Sequence, residues 1–211
     1  MKIQILMDNL NSWMVPYAKQ LQAELLEKGH TVLFHNSAKL VSEGDILLLL
    51  SCEKLFRNLH LNKHNLVVHA SPLPQGKGMS PTTWQILEGK NIIPLTLFEA
   101  TDKVDSGTIY GISSIQLDGT ELIEEVRKKE GYAINALIHD FIDSYPNIVG
   151  HDPVGDESFY RWRTPEDSEL DVNKTILEQF NLLRVVDNER YPAFFKLNKQ
   201  KYVLKIEKIT D

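Results

Sequence analysis

The first hundred residues alternate apolar runs with amphipathic segments, and this alternation constrains the fold more than any other feature of the chain. Five runs have the length and composition of strands: residues 2–7, 31–35, 45–50, 66–69 and 92–100. Several are continuously apolar, which is typical of strands buried on both faces of a sheet. Segments 12–30 and 80–91 carry serine, proline and glycine where a helix would begin and end. The pattern predicts an α/β fold around a mostly parallel sheet.

The second half of the chain has a different organisation. Residues 121–145 predict one long amphipathic helix, although Gly131 weakens the pattern. Residues 146–158 are rich in Pro, Gly and Asp and indicate a linker. A short strand (159–163), a helix (174–186) and a β-hairpin (193–209) are predicted to follow. We therefore predict a main domain of residues 1–150 and a C-terminal extension of residues 151–211.

Charge and cysteine content argue against several classes of protein. The formal net charge of the 211 residues is −6, whereas nucleic-acid-binding proteins concentrate Lys and Arg. Cys52 is the only cysteine, so the chain can form neither an internal disulfide nor a four-cysteine metal site. The amino-terminal apolar stretch is too short for a signal peptide or a membrane span. We expect a cytoplasmic protein that binds neither nucleic acid nor membrane.

Three polar segments follow predicted strands and mark a candidate ligand site. They are DNLNSW (8–13), HASPLPQGKG (69–78) and EATDKVDSG (99–107). In parallel sheets the ligand crevice lies beyond the carboxyl ends of the strands, so we expect these segments to meet there. Gly76 and Gly78 allow a positive φ or a close approach of the backbone to a substrate.

The second of these segments carries a motif. HASPLPQGKG closely resembles the His-x-Ser-x-Leu-Pro-x-x-Arg/Lys-Gly signature of formyltransferases that use 10-formyltetrahydrofolate, and VDSGTIY resembles their Asp-x-Gly turn. The resemblance covers residues 45–112. It implies a Rossmann-like formyltransferase fold, 10-formyltetrahydrofolate as co-substrate, and His69 and Asp105 as two members of an Asn-His-Asp catalytic set. An imidazole beside a carboxylate also suits the proton transfers that accompany attack by an amine.

Other segments resemble one branch of these enzymes. FYRWRTPEDSELD (159–171) is similar to a segment of the branch that formylates amino sugars attached to nucleotides. Within that branch, residues 7–21, 76–91 and 180–196 look most like the formyltransferase of pseudaminic-acid pathways. The resemblance implies a UDP-linked 4-amino-4,6-dideoxy sugar as the acceptor.

The resemblance also implies where the folate binds. Its pterin would lie near the backbone of SCEKLF (51–56) and EATDKV (99–104). The candidate cofactor-binding residues are Cys52, Glu53, Lys54, Leu55, Thr101 and Asp102. We expect no metal, because the spacing of Cys52, His60 and His64 fits no zinc pattern.

The candidate residues for the nucleotide-linked acceptor are Asn9, Asn11, Lys77, Trp84, Arg161 and Arg163. The two asparagines offer amides to a sugar or a base, and Lys77 offers a cation to a phosphate or a means of steadying its loop. Arg161 and Arg163 alternate along the predicted strand and would clamp a diphosphate from one face. Structural alternatives stay open: a turn for the asparagines, an exposed lysine, core packing for Trp84, and ion pairs of the arginines with Glu166, Asp167 or Glu169.

The chain departs from the family pattern at one important position. The catalytic Asn of the family lies two residues before the histidine, and Val67 occupies that position here. Residues two apart on a strand share a face, so Val67 points toward the site and offers no donor. Asn65 lies about 13 Å from His69 at ~3.3 Å per residue, too far to substitute. Asn9, Asn11, a backbone N–H or a protonated His69 are the alternatives.

Several rival functions follow from these observations. The missing Asn favours a non-catalytic module that binds folate or a nucleotide sugar. Glycinamide ribonucleotide transformylase has a glycine-rich loop where this chain has DNLNSW, which argues against that enzyme. A short acidic tail argues against methionyl-tRNA formyltransferase. The sequence leaves the oligomeric state open, with a homodimer as one option.

Overall fold

The computed structural model describes residues 1–209, so the last two residues of the predicted extension lie outside the described residues. The strands are β1 (Lys2–Leu6), β2 (Thr31–His35), β3 (Gly44–Leu49), β4 (Asn62–His69), β5 (Lys77–Gly78), β6 (Ile92–Glu99), β7 (Ile109–Gln116), β8 (Phe159–Tyr160), β9 (Ala193–Leu197) and β10 (Gln200–Leu204). The helices are α1 (Val15–Glu27), α2 (Pro81–Leu87), α3 (Ile123–Ser144) and α4 (Phe180–Val185). Within residues 1–209, no helix is both long and apolar enough to cross a membrane.

A six-stranded sheet in the order β2-β1-β3-β4-β6-β7 forms the centre of the molecule. The α/β architecture and the C-terminal hairpin of β9 and β10 are therefore confirmed. Strands β1 to β4 pair in parallel, whereas β6 is antiparallel to both of its neighbours and runs against the rest of the sheet. Antiparallel strands need only a short connection, and residues 100–108 contain no crossover helix. The sequence did not predict β7, which is an edge strand with an exposed Ile112.

Helices α1 and α3 contribute to one large apolar core with the sheet. The predicted helix 121–145 forms as α3 and continues through Gly131 without a break. A Cβ at Gly131 would lie 2.5 Å from Cγ of Tyr17 on α1, far inside contact distance. Gly131 therefore permits the close approach of α1 and α3, which outweighs its low intrinsic helix propensity.

The C-terminal region is less regular than the sequence predicts. The predicted strand 159–163 is limited to β8, because its partner β5 also has only two residues. The predicted helix 174–186 is reduced to a 3-10 turn and α4. The side chain of Gln179 bonds to main-chain groups of residues 171 and 174, which favours a turn before α4. The boundary at residue 150 stays a prediction.

Arg184 anchors α4 to the sheet domain. Its side chain is only 1% exposed. The guanidinium donates to the Glu121 carboxylate at 3.0 Å and to the Glu121 carbonyl at 3.1 Å. It also donates to Oδ1 of Asn91 at 3.1 Å. A buried charge requires such partners, so this contact fixes where the C-terminal region packs.

Glu130 is a buried carboxyl group on α3. It accepts a hydrogen bond from the Thr82 hydroxyl of α2 at 3.0 Å. Burial raises the pKa of Glu130 to about 7 from 4.5, because the apolar surroundings disfavour the charged form. The folded protein therefore holds this proton more tightly than the unfolded chain does.

We predict that Glu130 makes the protein less stable as the pH rises from 4.5 through 7. Its contribution is favourable at low pH and is lost as the carboxyl ionises, for a total on the order of 3 kcal/mol. Glu130→Gln keeps a hydrogen-bonding partner for Thr82 and cannot ionise. Urea unfolding at pH 5 and pH 8 should give a smaller difference between the two pH values for the variant. Equal differences in variant and wild type would contradict the prediction.

Candidate active site

His69 is the last residue of β4 and is largely buried. Its Nε2 lies 2.8 Å from the Gly76 carbonyl oxygen and 3.8 Å from Oδ2 of Asp105. A carbonyl oxygen can only accept a hydrogen bond, so the neutral imidazole carries its proton on Nε2. The lone pair is then on Nδ1, which makes Nδ1 the basic atom of the ring. The structure thus brings His69 and Asp105 together.

The loop after β4 is shaped by two glycines with positive φ, 68° at Gly76 and 97° at Gly78. A Cβ at Gly78 would lie 2.3 Å from the Tyr160 carbonyl oxygen, which no side chain allows. Gly76 N–H donates to the Ser158 hydroxyl at 2.9 Å, and Lys77 N–H donates to the Ser158 carbonyl at 2.9 Å. The loop follows β4 directly, so that the Gly76 carbonyl can accept a hydrogen bond from His69 while Lys77 and Gly78 pair with β8.

Asp105 lies in the loop of residues 100–108 and has a left-handed backbone with φ of 49°. Its Oδ2 accepts a hydrogen bond from Gly78 N–H at 3.0 Å. The expectation that this loop follows a parallel strand is wrong, because Glu99 at the end of β6 pairs with Leu66 in the middle of β4. The loop instead turns back toward the end of β4, which carries Asp105 to His69.

Lys77 is 1% exposed, so the alternative of an exposed lysine is wrong. Its ammonium donates to the Ser106 hydroxyl at 2.7 Å and to Glu157 at 2.8 Å. Lys103 reaches the same Glu157 oxygen at 2.9 Å. The hydrogen bonds from Lys77 and Lys103 lower the pKa of Glu157 to about 2, so this carboxylate stays charged.

The surroundings of Val67 are apolar. Val67 packs against a cluster of Leu73, Phe98 and Ile109, and against a second cluster that includes Leu49. The Asn65 amide nitrogen already donates to the Leu59 carbonyl at 2.8 Å. Asn65 therefore supplies no donor to the reacting centre, as its distance along β4 predicts.

The segment after β1 is fixed to residues 53 and 54. The Asp8 carboxylate accepts from Glu53 N–H and Lys54 N–H, both at 2.9 Å. The Asn9 amide donates to the Glu53 carboxylate at 2.6 Å, and its oxygen accepts from Asn11 N–H at 2.9 Å. Asn9 thus forms the turn that the structural alternative describes, while the exposed Asn11 side chain has no hydrogen bond to residues 1–209.

The residues expected near the pterin lie on two loops. Glu53, Lys54, Leu55, Thr101 and Asp102 are exposed there. Cys52 differs, because its thiol donates to the Leu6 carbonyl at 3.2 Å and burial raises its pKa to about 12. Cys52 and Ala100 pack against the same apolar cluster, so the two loops flank one region. Within residues 1–209, no three His, Cys, Asp or Glu side chains are grouped to hold a metal ion.

Trp84 forms part of an aromatic surface beside the histidine loop. Its ring stacks with that of Tyr160, with centroids 6.5 Å apart and planes inclined by 14°. The Arg161 guanidinium lies 4.6 Å from the Trp84 ring centroid and forms an ion pair with Asp167. That pair holds the pKa of Asp167 at about 2. The side chain of Arg161 is 61% exposed, so it remains accessible to a ligand.

The expectation that Arg161 and Arg163 share one strand face is wrong, because β8 ends at Tyr160. Arg163 donates to the Ser168 hydroxyl at 3.1 Å and to the Val185 carbonyl at 3.3 Å. Burial lowers the pKa of Arg163. Its guanidinium is directed into the C-terminal region, so the two arginines do not form the predicted clamp.

Sequence reasoning missed Glu157, Ser158 and Tyr160 as contacts of the histidine loop. All three lie in or beside the segment interpreted as a linker, and their partners are about 80 residues earlier in the chain. No local pattern signals such contacts. The only indication in the sequence was Glu157, an acidic residue two positions before the predicted strand 159–163.

No family model matches the chain. Among curated proteins, it is 27% identical over 161 residues to the bifunctional polymyxin resistance protein ArnA of Wigglesworthia glossinidia brevipalpis. This match covers 75% of the chain and 24% of the relative, so the chain spans about a quarter of that protein's length.

Solved structures give a clearer comparison. Methionyl-tRNA formyltransferase from Clostridium thermocellum superposes with a TM-score of 0.83 at 20% identity, covering 100% of this chain and 94% of that one. A 4-N formyltransferase from Francisella tularensis gives 0.68 at 18% identity, covering 99% and 98%. HypX from Aquifex aeolicus, solved in complex with tetrahydrofolic acid, gives 0.76 at 16% identity, covering 98% and 37%. The chain therefore has the formyltransferase fold.

Proposed function

We propose that this protein is an N-formyltransferase that moves a formyl group from 10-formyltetrahydrofolate to the amine of a nucleotide-linked amino sugar. The acceptor we propose is a UDP-linked 4-amino-4,6-dideoxy sugar. The observation that carries the proposal is the pair of His69 and Asp105, held by the glycine loop at the end of β4.

The chemistry of formyl transfer fits this pair. The amine attacks the formyl carbon and forms a C–N bond, which places negative charge on the formyl oxygen. Nδ1 of His69 accepts the proton that the amine loses, and the Asp105 carboxylate near Nε2 offsets the positive charge of the ring. Collapse of the intermediate breaks the bond to folate N10, which takes a proton as it leaves.

The folate half of the proposal has independent support. The part of HypX that this chain matches, 37% of its length, has the same fold, and HypX was solved in complex with tetrahydrofolic acid. In this chain we assign the pterin to the exposed loops that carry Glu53 to Leu55 and Thr101 to Asp102. Cys52 would contribute its main chain only, because its thiol bonds to the Leu6 carbonyl.

The acceptor half rests on the surface around Trp84. Trp84 and Arg161 present a ring and a guanidinium there, which suit a base and a phosphate, and the exposed Asn11 amide of the segment after β1 suits a sugar. The fold shared with the Francisella tularensis 4-N formyltransferase supports an amine acceptor. Lys77 and Arg163 are bonded to Glu157 and Ser168 within the protein, so the proposed nucleotide site does not include them.

One observation favours a second function. Val67 lies in apolar surroundings where the related enzymes carry the catalytic Asn, so a module that binds folate or a nucleotide sugar without reaction is the alternative. A tRNA substrate is disfavoured by the net charge of −6, although a methionyl-tRNA formyltransferase shares the fold. The segment DNLNSW lacks the glycines that a glycinamide ribonucleotide transformylase would carry.

Incubation with 10-formyltetrahydrofolate and a panel of UDP- and dTDP-linked amino sugars tests the proposal directly. We expect mass spectrometry to show formyl addition to a 4-amino sugar. His69→Ala and Asp105→Ala should each lower the rate by roughly 10²–10⁴-fold, since both act on the proton transfer. His139→Ala on α3 is the matched control and should remain active. Tight folate binding without transfer to any acceptor would establish the binding module instead.

A second prediction concerns the donor that replaces the family Asn. Loss of one donor to the intermediate oxygen costs roughly 3 kcal/mol, about a hundredfold in rate, so an active enzyme needs a substitute. We expect the substitute donor to be the side-chain amide of Asn11, or that of Asn9, the residue whose side chain forms the turn before Asn11. Asn11→Ala or Asn9→Ala should then lower kcat more than it raises KM.

Val67→Asn in the background of the less active Asn variant should restore part of the rate, because residue 67 shares a strand face with His69. An unchanged kcat in both Asn variants would assign the role to a backbone N–H, a water molecule or a protonated His69.

A third prediction separates the two arginines. Arg161→Ala should weaken nucleotide-sugar binding in calorimetry and leave the unfolding free energy essentially unchanged, because its ion pair is at the surface. Arg163→Ala should lower the unfolding free energy by about 1–3 kcal/mol, because it leaves buried acceptors without a donor. Folate affinity is the internal control for both variants. Equal nucleotide affinity in wild type and Arg161→Ala would return Arg161 to a purely structural role.

A further inference from the structure

Lys77 is a buried cation that the reaction itself does not use. We propose that Lys77 is a positioning residue, which holds the turn carrying Asp105 in place and so keeps the Asp105 carboxylate beside His69. This inference rests on the proposed function, because it assigns a role within the same site. It replaces the expectation that Lys77 meets a phosphate, since a side chain with 1% exposure is not accessible to one.

The ammonium joins three segments that are distant in sequence. Lys77 belongs to the histidine loop, Ser106 to the turn of Asp105, and Glu157 to the segment before β8. The Ser106 hydroxyl in turn donates to the Val104 carbonyl at 2.8 Å, on the other side of Asp105. Lys77 therefore fixes the turn from both flanks of the aspartate.

The neighbour of Lys77 acts on the aspartate itself. Gly78 N–H donates to Oδ2 of Asp105, the oxygen that lies 3.8 Å from Nε2 of His69. One dipeptide of the histidine loop thus holds both the Asp105 carboxylate, through Gly78, and its turn, through Lys77. A shift of either residue would move the carboxylate relative to the imidazole.

The turn that carries Asp105 needs support, and the buried ammonium of Lys77 needs a partner. Asp105 has φ of 49°, a backbone conformation that a non-glycine residue adopts only when its surroundings hold it there. A buried ammonium also requires a counter-charge, and Glu157 supplies one at 2.8 Å. Glu157 is held from the other side by Lys103 at 2.9 Å, so the anchor point is itself fixed.

The test compares Lys77→Met and Ser106→Ala with wild type in steady-state formyl transfer. A displacement of about 1 Å at the reacting groups can cost up to a hundredfold, so we expect kcat to fall about 10–100-fold. KM for the nucleotide sugar should stay within about twofold. Lys63→Met is the matched control: it removes an exposed lysine from an ion pair with Asp45 at the opposite end of β4 from His69 and should leave kcat unchanged.

A double-mutant cycle shows whether Lys77 acts through the turn. Lys77→Met combined with Ser106→Ala should be no slower than the slower single variant, because both remove the same support. Lys77→Met should likewise cost less than about twofold in an Asp105→Asn background, measured in single turnovers. Additive losses would overturn the proposal, as would a raised nucleotide KM with kcat unchanged.

A measurement without substrate separates this proposal from the proposed function. Amide hydrogen exchange of Gly78, followed by NMR, should accelerate at least tenfold in Lys77→Met and in Ser106→Ala, while the core amide of Ile5 and the Lys63→Met protein keep wild-type rates. Unchanged Gly78 exchange would overturn the positioning role even in an active enzyme. Absence of formyl transfer by the wild type would overturn the proposed function and leave this result intact. Should Lys77→Met not fold, Ser106→Ala carries the same test.

Discussion

The pairing of β5 with β8 is the contact on which the candidate site depends. Ser158 and Tyr160 cover the loop after β4, and they hold Gly76 and Gly78 in backbone conformations that place a carbonyl on His69 and an N–H on Asp105. Only glycine fits beneath the Tyr160 carbonyl. A two-residue ladder therefore determines the geometry of groups contributed by β4, by the 100–108 loop and by the segment that follows α3.

Buried charge organises the rest of the molecule in a similar way. Lys77 and Arg184 are each 1% exposed, and each has its counter-ion on a distant segment, Glu157 and Glu121 respectively. Such pairs add little net stability, because desolvation opposes the Coulomb attraction. They do restrict how segments can pack, since any other arrangement would bury an unpaired charge. The C-terminal region is located on the sheet domain by these two contacts.

The surroundings of Val67 determine how the proposed reaction must be completed. Val67 packs against Leu73, Phe98 and Ile109 and offers no hydrogen-bond donor beside His69. Asn65 is already bonded to the Leu59 carbonyl, and Asn9 is bonded to Glu53. A side-chain donor other than His69 itself must therefore come from outside β4, and the Asn11 amide, which has no hydrogen bond to residues 1–209, is the candidate in our proposal.

The sequence by itself determined the α/β class, the strands β1 to β4 and the C-terminal hairpin, because apolar periodicity is a local signal. His69 and Asp105 entered as candidates through a family resemblance, and the structure shows that their side chains are neighbours. Tertiary structure decided the reversed direction of β6, the burial of Lys77, the contacts of Arg163 with Ser168 and Val185, and the contacts of residues 157–160 with the histidine loop. Each of these depends on a partner far along the chain: Lys77 and Glu157 are 80 residues apart. Local patterns specify which residues can form a strand or a turn, but which buried charge meets which carboxylate is settled only when the segments pack.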